Sequence, residues 1–233
     1  MPIRERKPRE SREARALREK EKSIEEWVPK TELGKKVKNG EISSIEEIDK
    51  MNVKIMESEI VDVLVSDLKE TQADFKKTTK VKRSGRKFSF RASVLVGDGH
   101  KYVGLGTAKD KERWPAMAKA ARKAKLNLIS ISKGCGSWEC LCGGPHSVPF
   151  KVEGKSASVK VTLLPAPKGT GLVVGDAVKD VFRFVGIQDV WLRATGNTRS
   201  TLDFVSATID ALSKTKKMRT LEGTSEITRK EEA

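Results

Sequence analysis

The sequence predicts an α+β fold in which a βββα domain is followed by an α/β two-layer sandwich domain. From Phe75 the sequence takes a two-residue period, with hydrophobic residues at every second position from Phe88 to Val96, and helical spacing follows from Trp114 to about Leu128. From residue 150 to residue 213, the predicted second domain, the two periods alternate, which is typical of a sheet packed against helices. Residues 134–149 are rich in glycine, cysteine and proline and have no period, so they are predicted to form a loop at the domain boundary.

The composition excludes several classes of protein. No apolar run approaches the roughly 20 residues that span a bilayer, and the first residues lack the apolar core of a signal peptide. Three cysteines, an odd number, argue against a disulfide framework and predict a reducing environment. We therefore expect a cytoplasmic protein that does not contact a membrane.

Charge is distributed unevenly along the chain, whose 47 Lys and Arg against 32 Asp and Glu give a net charge of +15. Residues 75–133, the predicted βββα domain, contain 17 basic residues against 3 acidic ones, whereas residues 23–74 contain 7 against 13. Because so basic a segment repels itself, a polyanionic partner stabilises it, and nucleic acid is the predicted partner. Residues 1–22, which are also basic, and residues 214–233 are predicted to be tails.

Residues 23–74 are predicted to be a helical extension that packs on protein rather than on RNA, because they are acidic. Ser44 is followed three residues later by Glu47, which is a capping-box pattern ahead of a short helix. A second helix is predicted from Ile55 to Leu68, where apolar residues recur at helical spacing.

The βββα domain begins with a predicted hairpin in which Ser84-Gly85 joins the strands Thr79–Arg83 and Arg86–Val96. Side chains alternate across a strand, so one face of the second strand is predicted to enter the core. That face consists of Phe88, Phe90, Ala92, Val94 and Val96. A third strand over residues 101–107 precedes a helix with Pro115 in its first turn. The predicted apolar stripe of this helix is Trp114, Met117, Ala121, Ala124 and Leu128.

The second domain is predicted to start with a strand over residues 156–164 and a loop from Pro165 to Gly171. A helix opening at Asp176, a strand over residues 190–195 and a helix capped by Ser200 follow. The loop lies between a strand and a helix, as a phosphate-binding loop does, but no Gly-Lys-Ser/Thr follows its glycines. A tight turn is therefore the preferred interpretation of this loop.

The hairpin tip carries the clearest functional pattern, because five cations project from a narrow turn that can enter a groove of folded RNA. Since Phe88 and Phe90 are predicted to be internal, we expect structured RNA recognised through its backbone and shape rather than stacked single strands. The predicted RNA-binding residues are Lys80, Lys82, Arg83, Ser84, Gly85, Arg86, Lys87 and Arg91 of the hairpin and Lys119, Arg122, Lys123 and Lys125 of the helix.

Three cysteines and a histidine fall within twelve residues, at Cys135, Cys140, Cys142 and His146. Thiolate and imidazole are ligands that Zn²⁺ prefers, and the glycines between them permit a tight wrap, so a structural zinc is one hypothesis. Cys140 and Cys142 are closer together than the usual ligand pair, which leaves buried reduced thiols in a packed loop as the other hypothesis. We expect no other cofactor.

Catalytic residues are not evident in the sequence. The chain has two histidines, His100 and His146, and neither has a nucleophile and an orienting acid at an informative spacing. A small-molecule kinase would need a fuller glycine loop than the chain offers. We therefore predict that the chain is not an enzyme and has no small-molecule substrate.

Several blocks, in the same order along the chain, closely resemble the ribosomal protein S5 family of the small subunit in its archaeal form. The blocks are Ser84–Arg91, Val96–Gly99 with Val103–Gly106, Ala118–Lys125, Pro165–Leu172 and Ala207–Leu212. The resemblance implies a double-stranded-RNA-binding-like first domain and the α/β second domain of that family. It also implies that residues 23–74 and the cysteine loop are of the archaeal or eukaryotic type.

The resemblance further implies a structural protein bound to small-subunit rRNA at the junction of head and body. It implies contacts with ribosomal proteins four and eight, a place on the side where mRNA enters, and a role in translational accuracy. The surface expected to face protein four consists of Ser156, Ser158, Lys160 and Thr162. The alternative hypothesis is a free-standing regulator that binds double-stranded RNA.

Overall fold

The computed structural model describes residues 26–51, 53–65, 67–140 and 142–217, and the predicted tail 1–22 lies outside the described residues. The chain divides into two compact units, one up to Ser66 and one from Asp67 onward. Among the helices of these described ranges, none combines the length and apolar character that crossing a membrane requires.

The described part of the first unit includes the short helices α1 (Glu32–Lys38), α2 (Ile45–Lys50) and α3 (Ser58–Leu64). The helix predicted over residues 55–68 is therefore shorter than expected. Glu57 precedes this helix, and its carboxylate accepts hydrogen bonds from the Trp27 indole and from the backbone N–H groups of Lys30 and Thr31, which connects the start of α3 to residues 27–31. The buried cluster of this unit consists of Val37, Ile42, Ile48 and Ile60.

An antiparallel sheet opens the second unit, with strands β1 (Lys69–Lys82), β2 (Gly85–Gly97), β3 (Tyr102–Asp110) and β4 (Leu128–Ser130) in that order. Residues 69–74, predicted to belong to the helical extension, instead pair with the end of β2. The helical prediction failed there because strand pairing is a long-range interaction that overrides local preference. The helix α4 (Arg113–Leu126) connects β3 to β4.

Helix α4 packs on the sheet through alanines; Ala121 and Ala124 of the predicted stripe are buried as expected, but the placement of Trp114 in that stripe is wrong. Trp114 is 75% exposed, whereas Ala116, Ala120 and Ala124 are fully buried. Two glycines of β3 explain this choice, because an ideal Cβ on Gly106 would lie 2.1 Å from the Ala120 carbonyl oxygen. Because glycine has no side chain, the backbones of β3 and α4 approach each other closely. Only a face of α4 that consists of small residues fits against β3 at this distance.

Replacing Gly106 with Ala is therefore expected to destabilise the second unit by about 1–3 kcal/mol, the usual cost of overpacking a core. The added methyl group would meet backbone atoms of α4, which cannot rotate away as a side chain can. Chemical denaturation of the full chain measures the loss. Gly144→Ala is the matched control, because a Cβ at Gly144 meets nothing within 4 Å, and equal stability of the two variants would contradict the packing argument.

A second sheet contains β5 (Val152–Ser156), β6 (Val159–Pro165), β7 (Leu172–Val173) and β8 (Val190–Thr195). The strand order is β5-β6-β8-β7, antiparallel except for the parallel pair β7 and β8. The single strand predicted over residues 156–164 is instead a hairpin. Its turn is formed by Ala157 and Ser158, and Ala157 adopts a positive φ of 50°.

Helices α5 (Asp176–Val185) and α6 (Thr201–Thr215) complete the second unit. One buried cluster joins both sheets, because Leu95 and Val103 of the first sheet belong to the same cluster as Phe182 of α5. This explains why residues 92–97 are buried without alternation: β2 is covered on both faces. The α+β fold with a βββα part and a following two-layer sandwich is as predicted.

Candidate nucleic-acid interface and candidate metal centre

The first candidate site is the end of the β1–β2 hairpin, where the two strands remain paired as far as Lys82 and Gly85. Every side chain from Thr79 to Phe88 is exposed, so this part of the hairpin extends beyond the core. The turn itself consists of Arg83 and Ser84, one residue earlier than predicted. Gly85 follows with a φ of 118°, a conformation that favours glycine.

Cations lie opposite one another on this hairpin. Lys80 pairs directly with Lys87 across the strands, and like charges at such positions repel. In the part of the chain that the structure describes, the cations of the tip have no carboxylate within ion-pair distance. These cations are Lys80, Lys82, Arg83, Arg86 and Lys87. The tip therefore holds uncompensated positive charge that an anionic partner would neutralise.

Phe88 was predicted to enter the core, and this prediction is wrong, because its side chain is 47% exposed. It lies on the protruding part of the hairpin, where no helix covers the sheet. The ammonium group of Lys77 lies 3.9 Å from the centre of its ring. Phe90 is half-buried and stacks on Phe75 with ring centres 5.6 Å apart. Lys77 is thus a cation of the interface that the sequence analysis missed.

Several predicted RNA-binding cations are compensated within the fold. Arg91 is half-buried, with its guanidinium 3.5 Å from the Asp74 carboxylate. Lys119 forms an ion pair with Asp110. This pairing lowers the pKa of the Asp110 carboxyl, to which the ammonium group of Lys119 donates a hydrogen bond.

Two of the predicted helix cations, Arg122 and Lys123, are not compensated in this way. Both are exposed on α4 and form no ion pair with another described residue. Lys125 differs from them, because its ammonium group lies 3.3 Å from the Glu70 carboxylate. Of the predicted RNA-binding cations, those without a carboxylate partner among the described residues therefore lie on the hairpin tip and in the middle of α4.

The residues predicted to face a protein partner lie on the β5–β6 hairpin. Ser158 is exposed in its turn, and Lys160 is exposed on β6. Ser156 and Thr162 are half-buried. The four side chains therefore lie along one hairpin, and its tip is accessible to a partner.

The second candidate site brings together all four predicted metal ligands. The donor atoms of Cys135, Cys140, Cys142 and His146 all lie within 4.8 Å of one another. Cys140 and Cys142 share a hydrogen bond with 3.0 Å between their sulfurs, and Cys140 Sγ lies 3.8 Å from His146 Nε2. Cys142 is exposed and the other two thiols are half-buried, so the thiols are less buried than the hypothesis of buried reduced thiols in a packed loop expects.

The thiols of this cluster differ in acidity. The hydrogen bond with Cys142, aided by the backbone N–H of Lys168, lowers the pKa of Cys140 to about 6. Burial raises the pKa of Cys135 to about 11, and the neighbouring sulfurs add to this rise. One thiolate is thus available near neutral pH, and thiolate is the form that binds metal ions.

A residue that the sequence analysis missed supports the histidine. Asp189 is buried, and its Oδ2 lies 2.9 Å from Nδ1 of His146, which leaves Nε2 directed toward the sulfurs. A carboxylate behind a ligating histidine is a common arrangement in metal sites, because it fixes the ring and the tautomer. Asp189 lies 43 residues from His146, and no local pattern in the sequence marks it.

The fold and these two sites define the class: a two-sheet α+β protein with an exposed cationic hairpin and a cluster of three cysteines and a histidine. Two family models match the chain, "Ribosomal protein S5, N-terminal domain" over residues 68–132 and "Ribosomal protein S5, C-terminal domain" over residues 154–225. The chain belongs to the ribosomal protein S5 family, whose members are structural proteins and not enzymes. The family prediction and the prediction of no enzymatic activity are therefore confirmed.

Curated relatives come from archaea and are similar over most of their length. The "Small ribosomal subunit protein uS5" of Methanobrevibacter smithii is 51% identical over 82% of this chain and 89% of its own. The protein of the same name from Methanothermobacter thermautotrophicus is 48% identical over 86% of this chain and 93% of its own. The protein of the same name from Picrophilus torridus is 50% identical over 82% of this chain and 86% of its own. The resemblance to the archaeal form of the family is therefore confirmed.

Proposed function

We propose that this protein is a structural constituent of the small ribosomal subunit that binds rRNA through its basic hairpin. The observation that carries the proposal is the uncompensated charge at the hairpin tip, where Lys80 lies opposite Lys87. Phosphates of a folded RNA relieve that repulsion and release counterions. Arg122 and Lys123 of α4 supply further phosphate contacts. Relatives named as small ribosomal subunit proteins support a cytoplasmic, ribosomal location.

The proposal includes a finer placement, which the family resemblance supports. The protein lies at the junction of head and body, contacts ribosomal proteins four and eight, and borders the side where mRNA enters. The β5–β6 hairpin, with Ser158 and Lys160 exposed, is the surface that faces protein four and influences accuracy. Residues 75–133 act as the RNA-binding part and residues 150–213 as the protein-docking part.

Co-sedimentation tests this proposal against the alternative of a free-standing regulator of double-stranded RNA. The tagged full chain is expected in the small-subunit fractions of a sucrose gradient and is expected to stay there after a moderate salt wash. A profile confined to the top of the gradient would favour the regulator and contradict the ribosomal proposal.

We also propose that the cluster of Cys135, Cys140, Cys142 and His146 holds one structural Zn²⁺. Three sulfurs and one imidazole are a common donor set for structural zinc, and their donor atoms already converge. The buried Asp189 behind His146 is the support that ligating histidines normally have. A bound zinc ion would hold the loop over residues 134–149 closed.

Metal analysis of the purified full chain is expected to give one zinc per chain. Cys140→Ser is expected to reduce that value to near zero, because the cluster loses the thiol with the lowest pKa. Glu139→Gln, in the same loop and without a thiol, is the control and should keep its zinc. A wild-type chain free of zinc after purification in zinc-containing buffer would contradict the proposal.

A further inference from the structure

The loop predicted over residues 165–171 has backbone N–H groups that are directed at the candidate metal centre. The backbone N–H groups of Gly169 and Gly171 donate to Oδ1 of Asp189 over 3.0 Å and 2.8 Å. The backbone of Lys168 also contributes to the lowered pKa of the Cys140 thiol. A phosphate-binding loop would offer such N–H groups to its ligand, and here the Asp189 carboxylate accepts them instead.

The conformation of this loop depends on its two glycines. Gly169 and Gly171 have φ values of 93° and 75°, which turn both N–H groups toward the same oxygen atom. Thr170 between them closes the turn, because its N–H and its hydroxyl both donate to the Pro167 carbonyl. The loop is therefore built around the Asp189 carboxylate.

Asp189 uses its two oxygens for two different parts of the molecule. Oδ2 lies against His146 Nδ1, and Oδ1 accepts the two glycine N–H groups. The backbone N–H groups of Gln188 and Asp189 in turn donate to the carbonyl of His146. The side chain of Asp189 is 4% exposed, so water does not compete strongly for either oxygen.

We propose that Asp189 is a positioning residue that couples the metal centre to the 165–171 loop, so that metal loading orders this loop. This inference rests on the proposed zinc site. A bound metal fixes the His146 ring, and Asp189 connects this ring to the backbone N–H groups of Gly169 and Gly171. When the metal is removed, the His146 ring is free to move, and the Asp189 carboxylate that it positions holds the loop less rigidly.

Ordering the 165–171 loop also affects a cleft on the protein surface, because Lys168 of this loop lines it. Lys168 lines a cleft of about 880 Å³ together with Lys133 and Arg183. His100 and His146 also line this cleft, and its lining among the described residues includes no Asp or Glu. Ordering the loop thus fixes one cation of a positively charged cleft that is separate from the hairpin tip.

The test uses the full chain and Co²⁺, whose visible absorption reports ligand geometry where zinc is silent. Asp189→Asn keeps one acceptor oxygen, but this neutral oxygen accepts hydrogen bonds more weakly than a carboxylate and so protects the two glycine N–H groups less. Asp189→Ala removes both acceptors. We expect both variants to bind Co²⁺ about 10–100-fold more weakly than the wild type, the usual effect of losing the support of a ligand. We also expect a changed absorption spectrum. Asp180→Asn, at an exposed ion pair with Arg183, is the control with wild-type affinity.

Amide hydrogen exchange tests the second half of the proposal. In the wild type, chelation is expected to speed exchange at Gly169 and Gly171 at least tenfold, and in metal-loaded Asp189→Asn the same amides should already exchange fast. Asp189→Ala leaves the N–H groups of Gly169 and Gly171 without an acceptor, which can prevent this variant from folding. Asp189→Asn and the chelated wild type therefore provide the decisive test of the coupling. Unchanged exchange on chelation, or wild-type affinity and spectrum in Asp189→Asn, would overturn the coupling. A wild-type chain that binds no Co²⁺ would instead overturn the zinc site itself.

Discussion

Replacing Lys82, Arg83 and Arg86 together with Ala is expected to lower the salt dependence of rRNA binding by about 2–3 units of slope on a double logarithmic plot. Each neutralised phosphate contributes about 0.9 to that slope for a duplex. A chain with six such contacts loses about a thousandfold in affinity between ~50 and ~200 mM salt, and one with three loses roughly fortyfold. The measurement is a salt titration of binding to a small-subunit rRNA fragment.

These three cations are suited to the test because the fold does not need them. All three are exposed and lie at or beside the turn, and none forms an ion pair with another described residue. Removing them also removes repulsion, so the variant is expected to be as stable as the wild type. Arg91 is unsuitable, since its pair with Asp74 makes a loss of binding indistinguishable from a loss of structure.

A matched control variant removes three positive charges from the region of the second sheet instead of from the hairpin tip. Lys151, Lys155 and Lys160 are exposed on and beside the second sheet, and none was predicted to bind RNA. Their combined replacement by Ala should leave the slope within about half a unit of the wild-type value. If both triple variants lower the slope equally, RNA binding depends on net charge rather than on the hairpin, and the proposed site is wrong.

Regular elements could be predicted from the sequence where periodicity and end residues agree. The strand Val190–Thr195 and the start of α5 at Asp176 lie where they were expected. The apolar residues of α5 face inward as its helical spacing indicated, and Phe182 is fully buried. These elements follow local rules, since each buries one continuous apolar face.

Register against a neighbour could not be predicted from periodicity. Phe88 has the right period for the core, but the hairpin continues beyond the helix that covers the sheet, so the ring is exposed. Trp114 was expected to pack inward, and Gly106 instead selects the alanine face of α4. Both outcomes depend on where a distant element ends, which a pattern along one strand or helix does not contain.

The residues of the candidate sites also fall into two groups, those that the local sequence predicts and those that only the fold brings together. The convergence of four potential metal ligands within twelve positions could be predicted, because a short loop must bring them close together. Asp189 could not, since only the fold brings it to His146. The sequence analysis also did not predict that three of the proposed RNA-binding cations form ion pairs. Their carboxylate partners lie elsewhere in the chain, so only the fold brings them together. The pairs are Arg91 with Asp74, Lys119 with Asp110 and Lys125 with Glu70.

Removing the metal is expected to lower the melting temperature of the second unit by about 10 °C. A ligand present at about a thousand times its Kd stabilises the folded state by about 4 kcal/mol, and 1 kcal/mol corresponds to about 2–4 °C in a unit of this size. The loss should spread from the loop into the core, because Gly134 and Ser147 pair across the loop base and Val148 beside them is fully buried. Thermal unfolding with and without a chelator measures it.

The Cys140→Ser variant separates metal loss from other effects of a chelator. It is expected to melt at the temperature of the chelated wild type and to show no further shift when chelator is added. Glu139→Gln, its neighbour in the loop, should melt like the wild type and respond to chelation in the same way. The unit has a large core of its own, so it is expected to stay folded at 25 °C without metal. If chelation leaves the wild-type melting temperature unchanged, the four donors converge without a metal, and the His146–Asp189 pair holds the loop unaided.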